Sequence, residues 1–240
     1  MRISTDLCIA CELCLPYCPM GAIFVNDEGS AQIDRDECVE CGVCVRSAGC
    51  PVDAFVEEEL GWPRSVRAAF SNPLAEHRET RIPGRGTEEM KTNEVTGRFK
   101  SGEVGIAIEL GRPGTGARFR DVEKVTQAVA KLGVELEPQN PLTFLITDST
   151  TGRIDEDVLD EKVLSAIVEF SIPLPQLARA LTELQKVAHE IETVFSLNLI
   201  AKVEPDGSVP AVSVVRDLGI PLSVNGKNNV GLGRPLFQEV

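Results

Sequence analysis

The chain is poor in aromatic residues and histidine. Aromatic residues make up 5% of its 240 positions, with one Trp and one Tyr, and histidine occurs twice. Neither histidine stands in the arrangement of a hydrolytic site, so we expect both His77 and His189 to lie on the surface. The sequence therefore gives no sign of a hydrolase.

Long apolar runs are also missing. No stretch approaches the roughly 20 apolar residues that a membrane-spanning helix needs, and the N-terminal segment MRISTDLCIA has no signal-like apolar core. Hydrophobic residues nevertheless amount to 42% of the chain, which is ordinary for a globular protein. We therefore expect a soluble cytoplasmic protein without a membrane span.

Basic charge is scarce outside the middle of the chain. The net charge is −13, and residues 1–60 hold 3 Lys and Arg against 12 Asp and Glu. Residues 61–120 are the one basic segment, with 11 Lys and Arg against 7 Asp and Glu, and residues 121–240 are acidic again, with 10 against 18. Because nucleic-acid binding needs a basic surface, this distribution disfavours a nucleic-acid partner.

Cysteine is absent after residue 50, and all eight cysteines form two similar runs. The first run reads C-x2-C-x2-C-x3-C-P and ends at Pro19, and the second reads C-x2-C-x2-C-x5-C-P and ends at Pro51. Clustered cysteines inside a cell are more often a metal or redox site than a set of disulfides. Three thiolates at this interval on one loop can point at three corners of a cuboidal cluster, and the fourth is free to reach elsewhere.

These runs resemble those of bacterial-type ferredoxins with two 4Fe-4S clusters, and the resemblance covers residues 1–58. In that family the last cysteine of each run binds the other cluster. The resemblance implies a first cluster on Cys8, Cys11, Cys14 and Cys50, and a second cluster on Cys38, Cys41, Cys44 and Cys18. It also implies a short hairpin between the runs, with Gly29 at its turn and Ile23, Val25 and Ile33 as packing positions.

Two features qualify this assignment. Thiolates at C-x2-C spacing also suit zinc, but zinc ribbons use two such pairs on either side of a longer loop. Five residues separate Cys44 from Cys50, where the compact ferredoxins have three, so we expect a bulged loop beside the first cluster. The acidic charge of residues 1–60 should disfavour adding an electron, and we expect low reduction potentials for both clusters.

Residues 59–102 are predicted to form an irregular linker. Prolines and glycines interrupt every periodic pattern, and at most one short helix, near Arg64 to Phe70, fits. The segment also holds seven Arg and Lys between Arg64 and Arg98. It is either a solvated tether or an arm that wraps a partner subunit or the other domain, with Trp62, Phe70 and Phe99 as anchors.

Residues 103–240 are predicted to form an α+β domain. Apolar periodicity indicates strands at 103–110, 142–148, 163–172 and 194–204, and helices at 119–133 and 173–191. Two strand-helix-strand units predict an α/β sandwich in which helices cover one face of an antiparallel sheet. The arrangement looks like the ferredoxin-like or ACT-domain topology, a likeness of topology alone.

The loop at 111–121 is a candidate anion site. A glycine-rich loop between a strand and a helix can hold an anion through backbone N–H groups and arginines. The candidate residues are Gly111, Arg112, Gly114, Gly116 and Arg118. Its spacing matches neither the dinucleotide nor the P-loop fingerprint, and the alternative is a flexible turn.

The sequence thus predicts the α+β class: a two-cluster ferredoxin domain at 1–58, a linker at 59–102 and an α/β domain at 103–240. We expect an electron-transfer protein or subunit that relays electrons to or from a redox enzyme. It would dock through the linker arm and the C-terminal domain, in a homo- or hetero-oligomer. The alternative is a redox-linked regulatory module whose C-terminal domain binds a small molecule. No catalytic residue is predicted.

Overall fold

The computed structural model describes residues 1–85, 97–112 and 114–224. The strands are β1 Arg2–Ile3, β2 Ile23–Val25, β3 Ala31–Ile33, β4 Phe55–Val56, β5 Glu103–Leu110, β6 Ala117–Arg118, β7 Ile146–Asp148, β8 Arg153–Ile154, β9 Lys162–Val163, β10 Ala166–Pro173 and β11 Phe195–Ala201. The α-helices are α1 Val43–Ser47, α2 Ser65–Ser71, α3 Phe119–Ala130, α4 Leu177–Val187 and α5 Pro210–Asp217. Short 3-10 helices span Leu15–Tyr17, Thr143–Leu145, Glu156–Val158 and Leu174–Gln176.

Two small antiparallel pairs hold the N-terminal domain together. Strand β1 pairs with β4, which brings the two ends of the domain side by side. Strand β2 pairs with β3, and Gly29 takes a φ of 83° in the turn between them, as predicted. Of the expected packing positions, Ile23 is buried, whereas Val25 is exposed and its prediction is wrong.

The C-terminal domain is built on a three-stranded antiparallel sheet with β5 in the centre, in the order β10-β5-β11. Alternate residues of β5, from Val104 to Leu110, are buried against α3 and α4, because side chains on a strand alternate between its two faces. Leu136 adds a single antiparallel bridge to Phe170 on the outer side of β10. The α+β class is thus observed, and the ferredoxin-like or ACT-like assignment stays a prediction.

The prediction of a strand at 142–148 is wrong in two ways. Its first half is not a strand, and its second half does not belong to the main sheet. Residues Thr143–Leu145 form a 3-10 turn, because the side chain of Asn140 accepts a hydrogen bond from Leu142 N at 2.8 Å. Strand β7 then pairs with β8 and stays outside the main sheet. Helix α5 was not predicted, and the predicted helix at 173–191 is shortened to α4 after a 3-10 turn that contains Pro175.

The linker contains the expected short helix, α2, and this helix packs on the C-terminal domain. Val66 and Phe70 belong to the same buried core as the sheet, and the Phe70 ring meets Phe119 edge to face at 5.3 Å. The prediction of a surface position for His77 is wrong, because its ring is 4% exposed and packs edge to face on Phe70. His189 is exposed, as predicted.

Phe99 is also buried, with its ring directly over Gly105 of β5, whereas Trp62 is 53% exposed. Residues 86–96 of the linker and 225–240 of the C-terminal domain lie outside the described residues. Among the helices described, none is long and apolar enough to cross a membrane.

Candidate functional site

The two cysteine runs share one backbone conformation. In each run the second and fourth residues after the first cysteine have positive φ: Ala10 and Glu12 in the first, Glu40 and Gly42 in the second. The first cysteine of each run also donates its N–H to the carbonyl oxygen four residues earlier, at 3.0 Å and 2.9 Å. Left-handed residues of this kind curl a loop so that its N–H groups line a concave surface, a backbone form found at iron-sulfur sites.

A first cavity of about 360 Å³ lies inside the first loop. Its lining includes Cys8, Cys11, Cys14 and Cys50, and the other contacts are mostly apolar. Ala54 N donates a hydrogen bond to Cys50 Sγ at 3.3 Å. The structure therefore brings the last cysteine of the second run to the three cysteines of the first.

A second cavity, also about 360 Å³, lies inside the second loop. Its lining includes Cys38, Cys41, Cys44 and Cys18. Ala22 N donates to Cys18 Sγ at 3.2 Å, the counterpart of the bond at Cys50. Each cavity thus collects four thiols of the type and number that a 4Fe-4S cluster takes, so these residues fit the group.

Burial favours the protonated form of four of these thiols. It raises the pKa of Cys44 to about 11, and it also raises the pKa of Cys38, Cys41 and Cys14. A cluster is bound by thiolates, so its assembly must release these protons. The cavities therefore favour a thiolate bonded to iron over a free thiolate.

The first cavity opens to the protein surface. Ile9 and Leu13 line it and are 60% and 50% exposed, and the neighbouring Leu7 is 51% exposed. Cys11 is itself exposed. We call Leu7, Ile9 and Leu13 the apolar rim, an exposed apolar surface at the mouth of the first cavity.

The second cavity is backed by arginines from outside the ferredoxin domain. Arg67 of α2 is 3% exposed, and its Nη1 donates to the carbonyl oxygens of Arg35, Asp36 and Cys38 at 3.1, 2.7 and 2.9 Å. Its Nε donates to Glu161 of the C-terminal domain. Arg64 donates to the buried carboxylate of Glu40 at 2.6 Å.

Two further cations reach the same place from the C-terminal domain. Arg118 pairs with Asp36 at 2.7 Å and with Glu37 at 3.0 Å, and Lys162 also pairs with Glu37. We call Arg64, Arg67, Arg118 and Lys162 the cationic group. Sequence reasoning missed it, and its one signal was the basic character of the segment that directly follows the ferredoxin domain.

For Arg118 the structure gives a different role from the predicted anion loop, because its guanidinium is committed to two carboxylates. The N–H groups of Phe119 and Arg120, at the start of α3, donate to the carbonyl oxygens of Glu161 and Leu159. Arg112 pairs with Glu109 at 3.1 Å. Two of the glycines have steric reasons: a Cβ on Gly116 would lie 2.7 Å from Met20 Cε, and a Cβ on Gly111 would lie 2.7 Å from the carbonyl carbon of Gly116.

Comparison with known proteins finds relatives of the N-terminal domain. Residues 7–54 match the 4Fe-4S dicluster domain family. The chain is 36% identical over 55 residues to pyruvate synthase subunit PorD of Methanocaldococcus jannaschii, covering 23% of this chain and 62% of that protein. Ferredoxin-1 of Caulobacter vibrioides is 43% identical over 55 residues, covering 22% of this chain and 46% of that ferredoxin.

A tetrathionate reductase subunit of Salmonella typhimurium is 39% identical over 56 residues, which is 22% of either chain. The chain thus spans less than two thirds of these relatives, and no solved structure matches it. The shared part is the cysteine-rich domain, whose relatives support a role in electron transfer. Residues 7–54 therefore form a ferredoxin domain of the 4Fe-4S dicluster family, and its cofactors are two 4Fe-4S clusters.

Proposed function

We propose that the chain is an electron-transfer subunit that relays electrons between a partner redox enzyme and its own two 4Fe-4S clusters. The observation that carries the proposal is the different setting of the two cavities: one opens between exposed Ile9 and Leu13, and the other lies against the linker helix and the C-terminal domain. Two cavities in one small domain make a path with an outer and an inner end.

The ligand sets belong to this proposal. Cys8, Cys11, Cys14 and Cys50 hold the first cluster, and Cys18, Cys38, Cys41 and Cys44 hold the second. Four thiols line each cavity, which supports this crossed pattern. Each cluster supplies one-electron chemistry, and the chain supplies the thiolates, the apolar walls and the surrounding charge.

A redox enzyme is the proposed partner. Two relatives carry names of oxidoreductase subunits, a pyruvate synthase and a tetrathionate reductase, and this supports a place in a complex of that general kind. We propose the apolar rim as the surface that meets the partner's redox centre. The buried side of α2 packs within the chain, so among the described residues of the linker the exposed ones, such as Trp62 and Leu74, stay accessible to a partner.

Anaerobic purification of the native protein with its neighbours tests the proposal. We expect a flavin- or metal-containing redox subunit in the same fraction, and electron exchange with it through the apolar rim. Leu7→Glu places a charge in that rim, outside the lining of the cavity, and should slow the exchange about tenfold while leaving the iron content unchanged. Phe144→Glu is the matched control, since Phe144 is 49% exposed in the C-terminal domain.

Two results would contradict the proposal. One is a native fraction with full clusters and no redox subunit. The other is an equal effect of Leu7→Glu and Phe144→Glu on the exchange rate, which would show that the apolar rim is not the docking surface.

One observation favours the regulatory alternative. The C-terminal domain reaches the segment just before Cys38, where Arg118 and Lys162 pair with carboxylates, and its Glu161 bonds to Arg67. A change in the charge of the second cluster would therefore act on this domain at short range. Hydrogen exchange of the full chain, oxidised and reduced, tests this alternative. Changes that reach β10 or α3 would support a regulatory output, and changes confined to residues 1–71 would favour the relay alone.

A further inference from the structure

Several carboxylates of the ferredoxin domain that lie near the second cavity are paired with cations. Beside the second cavity Glu40 pairs with Arg64, and Glu37 and Asp36 pair with Arg118. These cations come from outside the acidic domain. The expectation of low potentials for both clusters took account of residues 1–60 alone and left these cations out.

Within the cationic group, Arg67 is the residue that bonds to the backbone of a thiol residue of the second cavity. Its Nη1 donates to the carbonyl oxygen of Cys38, one of the four thiol residues, and its side chain is 4% exposed. A buried charge is screened by solvent and salt much less than a surface charge. Arg67 therefore stabilises negative charge in the second cavity more than an exposed arginine can.

The peptide groups carry part of this effect. A guanidinium that bonds to the Cys38 carbonyl polarises the peptide that continues into Val39, and linked hydrogen bonds polarise one another. Arg46 acts on the next thiol residue in the same way, with Nη2 donating to the Cys41 carbonyl oxygen at 2.7 Å. Its guanidinium lies directly over Gly42, where a Cβ would be 2.4 Å from Nη1.

We propose that the cationic group, with Arg67 at its centre, raises the reduction potential of the second cluster above that of the first. A single electron shared between the two clusters then resides on the second. Its transfer oxidises the first cluster by one electron and reduces the second by one, and no further reactant takes part. The inference rests on the proposed function for the identity of the clusters and of their ligands.

This placement gives the relay a polarity. The outer cluster, at the apolar rim, exchanges electrons with the partner, and the inner cluster stores them against the C-terminal domain. Arg67 is a positioning and tuning residue in this arrangement, because it touches the backbone of a ligand residue and not the cluster.

Stepwise reduction of the anaerobic full chain, followed by electron paramagnetic resonance, tests the proposal. Cys11→Ser and Cys41→Ser assign the signals, since each replaces a ligand in one cavity alone. In the wild-type protein we expect the second-cluster signal to appear first, with at least about tenfold more of the electron on that cluster. Tenfold corresponds to about 59 mV for a one-electron couple.

Arg67→Gln should reduce this ratio about tenfold or more, and Arg67→Lys should retain most of it because the charge stays. Arg179→Gln is the control, since it removes the same charge from an exposed position on α4 and should leave the ratio unchanged. If Arg67→Gln does not hold the second cluster, Lys162→Gln replaces it. That variant should lower the ratio by a smaller factor.

The proposal is overturned if the first-cluster signal appears first in the wild-type protein. It is also overturned if Arg67→Gln, or Lys162→Gln in its place, changes the ratio no more than Arg179→Gln. Either result would leave the proposed electron relay standing. A chain without iron or without a redox partner would instead contradict the proposed function itself.

Discussion

Arg67 Nη1 lies 2.9 Å from the carbonyl oxygen of Cys38, so a linker side chain is bonded to the backbone of a thiol residue in the ferredoxin domain. The same guanidinium donates to Glu161 of the C-terminal domain. One buried arginine thus joins all three segments of the chain. The cysteine-rich domain is held in a fixed relation to the rest of the protein at its second cavity.

The first prediction concerns the linker helix. Phe70→Ala removes a ring that is 3% exposed and packs on Phe119, so the variant should lose about 3–5 kcal/mol in the free energy of unfolding. Thermal unfolding of the anaerobic full chain should show a Tm lower by about 6–20 °C. Phe144→Ala, at a 49% exposed position, is the control and should shift the Tm by about 2 °C or less. Equal shifts would mean that α2 does not contribute to the core.

The second prediction separates packing from flexibility in the loop before α3. Gly111 and Gly114 both have positive φ, 79° and 64°, so an alanine at either position meets similar backbone strain. A Cβ at Gly111 would lie 2.7 Å from the backbone of Gly116, and a Cβ at Gly114 meets nothing within 4 Å. Gly111→Ala should therefore cost about 1–3 kcal/mol more than Gly114→Ala in unfolding measurements. A loop that owes its glycines to flexibility alone would show no difference.

The third prediction is a pH dependence that arises at His77. Burial lowers the pKa of this imidazole below its ordinary 6.5, while its Nε2 donates to the carbonyl oxygen of Gly84. The unfolded chain then binds the proton more readily than the folded one. Its contribution to stability is complete above pH 6.5 and is lost as the pH falls toward the depressed folded pKa.

Thermal unfolding at pH 7.5 and pH 5.5 measures this contribution. His77→Gln stays neutral at both values, so its Tm should fall less between them than the Tm of the wild-type chain. His189→Gln alters an exposed histidine and should keep the wild-type difference. A His77→Gln variant with the full wild-type difference would rule out the buried imidazole as its source.

The sets of cysteines that share a cavity could be predicted from the sequence, but the arrangement of charges around them could not. Spacing within a run constrains which thiols share a loop, because cysteines separated by two residues on a curled backbone face one cavity. The contacts of Arg67 join positions about 30 residues apart in one direction and 94 in the other. Local sequence patterns do not show which residues so far apart in the sequence come into contact. The cationic group could therefore be identified only from the folded structure.

The same limit explains the errors in the C-terminal domain. Strands β5, β10 and β11 could be predicted because each is a long, largely apolar run in the sequence. Residues 142–148 have a similar apolar composition, but the side chain of Asn140 bonds locally to the backbone and turns the chain away. His77 was misplaced because a charged linker sequence does not reveal that it folds back over Phe70.

The central claim is that two 4Fe-4S clusters are held by crossed sets of cysteines, and iron analysis of two single variants tests it most directly. Purified without oxygen, the wild-type chain should contain about eight iron and eight sulfide ions. The Cys18→Ala and Cys50→Ala variants should each contain about four of each ion. Cys18→Ala should keep the first-cluster paramagnetic signal and Cys50→Ala the second. Zinc in place of iron, or loss of the same signal in both variants, would contradict the account.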